Sequence, residues 1–242
     1  MPAYGFGSGS LFGYRTDVAV PQPVQFGALQ DVSLDLSFNI KELFGQSQFP
    51  LAVARSTAKV TGKAKSARII ASQFNELFFG QTLATGQKTT AVNETGTPTT
   101  NSLTVANSAQ FVEDLGVFKQ STGAPLTRVA SAPAAGQYSV SAGVYTFAAA
   151  DSNPPVFVSY TYTIAGTGQK LVMSNQLLGA APQFKCVLAE TYQGNKFQVE
   201  LNACIATKLT IPTKIEDFII PEFDFSAFVD ASGNLGTISF PE

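Results

Sequence analysis

Residues 31–63, DVSLDLSFNIKELFGQSQFPLAVARSTAKVTGK, decide the fold. Val32, Leu34, Leu36, Phe38 and Ile40 alternate with Asp31, Ser33, Asp35, Ser37 and Asn39, the period of two that marks a half-buried strand. A second strand follows, in which Ala52, Ala54, Ala58 and Val60 share a small apolar face and Arg55, Thr57, Lys59, Thr61 and Lys63 share the other. With FGQSQFP (Phe44, Gly45, Gln46, Ser47, Gln48, Phe49, Pro50) as the connection, Asp35 falls opposite Lys59 and Asp31 opposite Lys63. Each anion then meets a cation on the wet face. A long hairpin with one dry and one polar wall suits a sheet that packs a core on one side only, the design of a structural protein. The connection exceeds what a tight turn needs and carries two phenylalanines, so it either folds back on its own domain or reaches a second subunit.

Composition narrows the chemistry. A chain of 242 residues holds one large all-β domain or two small ones. It contains no His, so no Ser-His-Asp triad, Cys-His pair or His-ligated metal site can be built. A formal net charge of -2 argues against a protein that grips nucleic acid, although passing contact with DNA stays compatible with it. The start, MPAYGFGSGSLFGY, lacks the basic and apolar regions of a secretion signal, and no segment is long enough to span a bilayer.

The strands FKCVLAETY and KFQVELNACIA flank residues 193–196. A two-residue turn at Gly194 and Asn195 pairs Tyr192 with Phe197, Leu188 with Leu201 and Cys186 with Ala203. This register gathers Phe184, Cys186, Leu188, Val199, Leu201 and Ile205 on one face and turns Cys204 to the other. Two free thiols and no disulfide are expected, as in a reducing cytoplasm.

Along the chain, residues 1–30 read as an extended N-terminal arm. Their aromatics, Tyr4, Phe6, Phe12, Tyr14 and Phe26, suggest docking on the chain's own domain or on a neighbour. SARIIASQFNELFFG (66–80) carries the one helix signal: Ser66 as N-cap, Ile70, Phe74, Leu77 and Phe78 on one face, and Gly80 as the stop. Residues 86–165, poor in charge and rich in Thr, Ala, Gly and Pro, read as an inserted or elaborated β-subdomain between 31–85 and 166–242. Within it, QYSVSAGVYTFAAAD turns at Ala142 and Gly143, and PVFVSYTYT continues the same sheet. The end, EFDFSAFVDASGNLGTISF, reads as strand, turn, strand with Phe223, Phe225, Ala227 and Val229 on an apolar face.

Several motifs carry nothing further. GFGSGS precedes no helix. Gly62-Lys63 lacks the upstream glycine and the hydroxyl residue of a P-loop. Asp230, Ser232 and Asn234 imitate a calcium loop, but Leu235 stands where glycine should, and a hairpin turn is the reading there. Asn93-Glu94-Thr95 is a short match to a glycosylation site. Glu113-Asp114 and Glu216-Asp217 are adjacent, so on strands their side chains diverge and form no acid/base couple. No catalytic residue, cofactor or metal ligand is assigned, and the chain reads as a non-enzyme.

The strand DVSLDLSFNIKELFG, the loop and small-residue strand QFPLAVARSTAKVTGKAKSARI, and the helix SQFNELFFG together resemble a bacteriophage tail tube protein, the major tail protein whose stacked rings conduct DNA. FVEDLGV, SAPAAGQYSVSAGVYTFAAAD with SYTYT, and FDFSAFVDASGNLGTISF are similar to segments of such proteins. The resemblance implies a mainly β fold, an antiparallel β-sandwich or barrel of the tail-tube type flanked by one helix. It implies hexameric rings whose copies share an inner β-barrel, and a loop, here residues 44–50, that reaches an adjacent ring. The 86–165 block would then lie on the outer side. Twenty-four strands at a spacing of about 4.8 Å and a tilt of about 40° would set the walls roughly 48 Å apart, enough for a hydrated duplex. The expected lumen face is Asp31, Ser33, Asp35, Ser37, Asn39, Arg55, Thr57, Lys59 and Lys63 with Gln198, Glu200 and Asn202, where Asp31 and Asp35 would mask Lys59 and Lys63. Implied partners are further copies of the chain, sheath, tape-measure, tail-terminator and tail-tip proteins, and double-stranded DNA in transit, with no membrane. The implied location is the virion, after assembly in the host cytoplasm. The alternatives are a secretion tube, a head decoration protein, or an adhesin-like binding module with an immunoglobulin-type sandwich.

Overall fold

The computed structural model describes residues 4–68 and 70–241. Residues 1–3 of the expected arm and residue 69 of the expected helix stretch lie outside them. The strands are β1 (Ser10–Arg15), β2 (Val24–Phe26), β3 (Leu29–Phe44), β4 (Pro50–Ser66), β5 (Ala84–Gly96), β6 (Ser102–Thr104), β7 (Phe111–Lys119), β8 (Thr127–Arg128), β9 (Gln137–Ser141), β10 (Val144–Phe147), β11 (Val156–Lys170), β12 (Phe184–Tyr192), β13 (Asn195–Thr210), β14 (Glu222–Phe228) and β15 (Gly236–Ser239). The fold is mainly β and antiparallel, apart from the two-residue parallel pairing of β8 with β9. One short helix, α1 (Ala71–Phe74), widens into a π turn over Asn75–Phe79, which Gly80 ends in the left-handed region at φ 58°. Two compact units form: residues up to Leu83 together with those from Leu171 onward, and Ala84–Lys170.

The first unit is a single sheet in the order β2-β1-β12-β13-β14-β4-β3. Its core forms where the alternating apolar positions meet: Leu11, Phe26, Ala64, Phe184, Leu201, Phe223 and Phe225 are all buried. The apolar faces of β3 and β4 and those of β12, β13 and β15 line one cavity of about 490 Å³, bounded by Leu34, Val60, Leu188, Val199 and Ile238 among others. The sheet therefore curls over its own dry face, as sandwiches and barrels do. Much of the stretch expected as an arm is docked on its own domain, because β1 pairs with β12 and β2 with β1.

Three local expectations are corrected. Ser66 is not a helix cap but the last residue of β4: its amide donates to the Pro221 carbonyl at 3.0 Å and its hydroxyl to the Gly27 carbonyl at 2.9 Å. Strand partners satisfy it before a helix can begin. Ile70 precedes the helix, and only Leu77 and Phe78 of the expected stripe join the core. The C-terminal strands do not form a hairpin. β14 pairs with the second half of β13 (Ala203 with Phe228) and β15 with its first half (Leu201 with Gly236), so both lie along one long neighbour.

The third correction concerns the cysteines. The β12–β13 turn falls at Gln193 and Gly194, both at positive φ, and pairs Tyr192 with Asn195 and Cys186 with Leu201. A bulge then places Phe184 opposite Cys204, with an extra residue in β13 at Asn202–Ala203. The extra residue inverts the alternation, so Cys204 faces the same core as Cys186, while Ile205 leaves it. Both thiols are buried and free. Burial pushes the Cys204 thiol up to about 12, and burial followed by the neighbouring Cys204 pushes Cys186 up as well. Neither is nucleophilic at neutral pH. A chromogenic disulfide reagent at pH 7.5 should label neither in the native protein and both after denaturation; fast native labelling would contradict this packing.

The second unit pairs β5-β11-β7 in one sheet and β6-β10-β9-β8 in another, around buried Val117, Tyr138, Tyr145, Phe147, Val158 and Tyr160. The β9–β10 turn uses Ala142 and Gly143 at φ 47° and 75°, the twist that two-residue hairpins require. β11 does not continue that hairpin's sheet as expected. It lies between β5 and β7, where Val156, Val158 and Tyr160 are fully buried. Asp114 anchors the unit: the Tyr138 and Tyr145 hydroxyls donate to its carboxylate at 2.7 and 2.9 Å, and Arg128 lies 3.7 Å away. Burial, then the hydrogen bond to this carboxylate, raises both tyrosines above the ordinary range.

Candidate assembly hairpin and polar sheet face

β3 and β4 form the hairpin expected from alternation, but its register differs. Beside the loop, Phe44 faces Pro50; the next pair is Leu43 with Ala52, leaving Leu51 extra. Further down, Ile40 faces Arg55 and Phe38 faces Ala58, so Asn39 alone stands opposite Ser56 and Thr57. Two one-residue bulges in β4 slide the pairing by two positions. Asp31 therefore meets Lys65, Asp35 meets Thr61, Lys59 meets Ser37 and Lys63 meets Ser33. Asn39 Nδ2 donates to Thr57 Oγ1 at 2.8 Å, which ties the second bulge together.

The bulge also changes which residues share a face. Ala54 lies opposite Lys41, Ala52 opposite Leu43, and Arg55 opposite Ile40. Arg55 is thus corrected from the polar to the apolar face, where its guanidinium carbon sits 4.3 Å from the centre of the Phe38 ring. That cation–π contact is open to solvent.

β14 pairs with β4 only between Val60 and Lys65. Among the described residues, β4 from Leu51 to Lys59 has no second neighbour, and β3 is the terminal strand of its sheet. At about 3.4 Å per residue the hairpin stands roughly 30 Å beyond the paired sheet. Its apolar face is uncovered: Leu36 is 53% exposed, Phe38 45% and Ile40 58%. The loop at its tip does not fold back, and Phe49 is 80% exposed. Two strands alone are marginal in water, so this projection is built to be covered.

The opposite face of the sheet is polar across β3, β4, β14, β13 and β12. Asp31, Ser33, Asp35, Ser37, Asn39, Thr57, Lys59 and Lys63 share it. Beyond the bulge, Gln198 and Glu200 project opposite buried Val199 and Leu201, on that same face. Asn202 sits in the β13 bulge and donates to Asp230 at 2.8 Å. The anions that pair with Lys63 are not those expected. Glu222 and Asp224 on β14 lie 2.8 and 4.0 Å from its ammonium, and Glu222 also lies 3.7 Å from Lys65. The Lys63 hydrogen bond holds Glu222 below its ordinary range and raises Lys63 in return. Reading EFDFSAF for its phenylalanines alone missed Glu222, Asp224 and Ser226; the same alternation puts them on the other side. Lys185 pairs with Glu200. On this face the ion pairs join Lys63 to Glu222 and Asp224, Lys65 to Glu222, and Lys185 to Glu200, so carboxylates interleave with lysines across β4, β14, β12 and β13.

No metal-binding cluster of His, Cys, Asp or Glu occurs among the described residues, and no helix of the structure is long and apolar enough to cross a membrane. Compared with known proteins, the sequence matches no family model and no curated protein.

Proposed function

We propose that the chain is a self-assembling subunit of a phage tail tube, stacked in hexameric rings around a DNA channel. The observation that carries this reading is the hairpin that projects beyond its sheet with an uncovered apolar face and unpaired edges. Such a surface is satisfied by copies of the same chain, which close the open edges and cover the apolar side chains. The polar face, with carboxylates set among its lysines, suits a channel wall. Each phosphate neutralised by a wall cation adds counterion-release affinity, and pairing Lys63, Lys65 and Lys185 with carboxylates lowers that affinity, so DNA passes without being held. The loop of residues 44–50 contacts the adjacent ring.

The test is electron microscopy of the purified protein across a concentration series. Hollow filaments or six-fold rings are expected; monomers at every concentration would overturn self-assembly. The wall assignment has its own test. Asp31→Lys with Asp35→Lys replaces two wall anions by two cations, and should slow DNA delivery while tubes still form. Unchanged infectivity would remove these positions from the channel.

A further inference from the structure

The projecting hairpin has a counterpart at the other end of the same sheet. β13 ends at Thr210, which pairs with Glu222 at the start of β14, and Glu222 pairs with Lys65 near the base of β4. The connection between them, residues 211–221, therefore leaves the sheet at the end away from the hairpin tip at Pro50. It has no regular structure, and Ile211, Ile215, Phe218 and Ile219 on it are exposed. Two uncovered apolar surfaces at opposite ends of one sheet meet when a second copy is translated along the strand direction.

The Arg55 charge favours the same pairing. Arg55 lies on the hairpin's apolar face beside the Phe38 ring, with Glu42 on that face nearer the tip, and neither has an ion-pair partner among the described residues. Segment 211–221 carries Glu216, likewise without a cation within ion-pair distance among those residues, whereas its neighbour Asp217 is already met by Lys214 at 3.4 Å. The other exposed apolar connection at that end, residues 171–183, contains no charged residue to answer Arg55.

We infer that the apolar face of the hairpin in one copy docks head to tail on residues 211–221 of the next, with Arg55 of one against Glu216 of the other. This rests on the tube reading and supplies its longitudinal contact. Because the two surfaces differ, the contact does not close on itself as a symmetric dimer would; it propagates. The ion pair sets register, and the aliphatic and aromatic contacts hold it.

Charge exchange tests the pairing by sedimentation velocity and electron microscopy together. Arg55→Glu and Glu216→Lys, each alone, should raise the concentration needed for assembly about tenfold, and the double variant should restore it. Both positions are on the surface, and thermal melts check that each variant is folded. Mixing Arg55→Cys with Glu216→Cys under oxidising conditions should give a disulfide-linked heterodimer, which neither variant forms by itself. Single exchanges without effect, a double variant without rescue, or no crosslink in the mixture would each overturn the contact. Tubes formed equally by wild type and single variants would remove this contact and leave the tube reading standing. Open non-tubular chains showing the exchange pattern would keep the contact and remove the tube. Wild type that stays monomeric overturns both.

Discussion

Replacing Leu36, Phe38 and Ile40 together with threonine should raise the concentration at which the chain assembles by about a hundredfold. It should leave the folded subunit almost unchanged. Phe38 and Ile40 lie on the hairpin beyond the end of β14 and Leu36 at its edge, opposite Val60; all three are already about half exposed, so the free subunit gains little from them. Surface substitutions of this kind shift stability by about 0.5 kcal/mol or less, and threonine keeps the strand preference. In an assembly the remaining exposed half of each side chain would leave water, worth about 1 kcal/mol apiece. Losing about 3 kcal/mol per contact corresponds to the hundredfold shift. Pelleting across a concentration series measures the first effect and thermal unfolding the second. A variant that assembles like wild type would show that this face is not the one covered, and a variant that melts far lower would show that the hairpin is held by its own domain.

Gly62→Ala should act in the opposite way, by damaging the subunit itself. Gly62 is buried in β4 and pairs with Phe225 of β14. The Phe225 ring lies across the glycine, and an added Cβ would fall inside the space the ring occupies. Phe225 is itself fully buried and packed against Phe184 and Phe223, with ring centres 6.0 and 6.2 Å away, so it has no free direction in which to move. Overpacking of this kind costs about 3 kcal/mol, a large share of the roughly 5–15 kcal/mol that holds a typical domain. The melting temperature of the first unit should fall by roughly 10 °C. Adding Phe225→Leu should recover part of the loss, with a coupling of at least about 1 kcal/mol. Simple additivity of the two changes would mean that ring and glycine do not meet.

Alternation along single strands was legible without the structure. The presence of the first hairpin, the turn at Ala142 and Gly143, and the stop at Gly80 are local consequences of side-chain period and backbone freedom, and each stands where its residues indicate, although the hairpin's strands reach Leu29 and Ser66 and take in Phe44 and Pro50 from the expected loop. What could not be read was pairing. A bulge shifts register by one residue, and nothing in β4 itself announces that Leu51 and the Ser56–Thr57 step take up extra length. The Asp35–Lys59 pairing was lost for that reason, and Arg55 crossed to the apolar face. The β13 bulge did the same to Cys204 and Ile205. The anions that pair with Lys63 come from a strand some 160 positions later in the chain, a neighbour chosen by how the whole sheet closes.

By itself, then, the sequence determined a mainly β chain with one short helix, and a long hairpin with a dry wall and a polar wall, because a period of two is a property of each strand alone. Only the tertiary structure decided which charges meet, that both thiols share one core, that β14 and β15 both lie along β13, and that β14 stops at Val60. Those depend on where a neighbouring strand begins, bulges and ends, and the last of them leaves the hairpin bare.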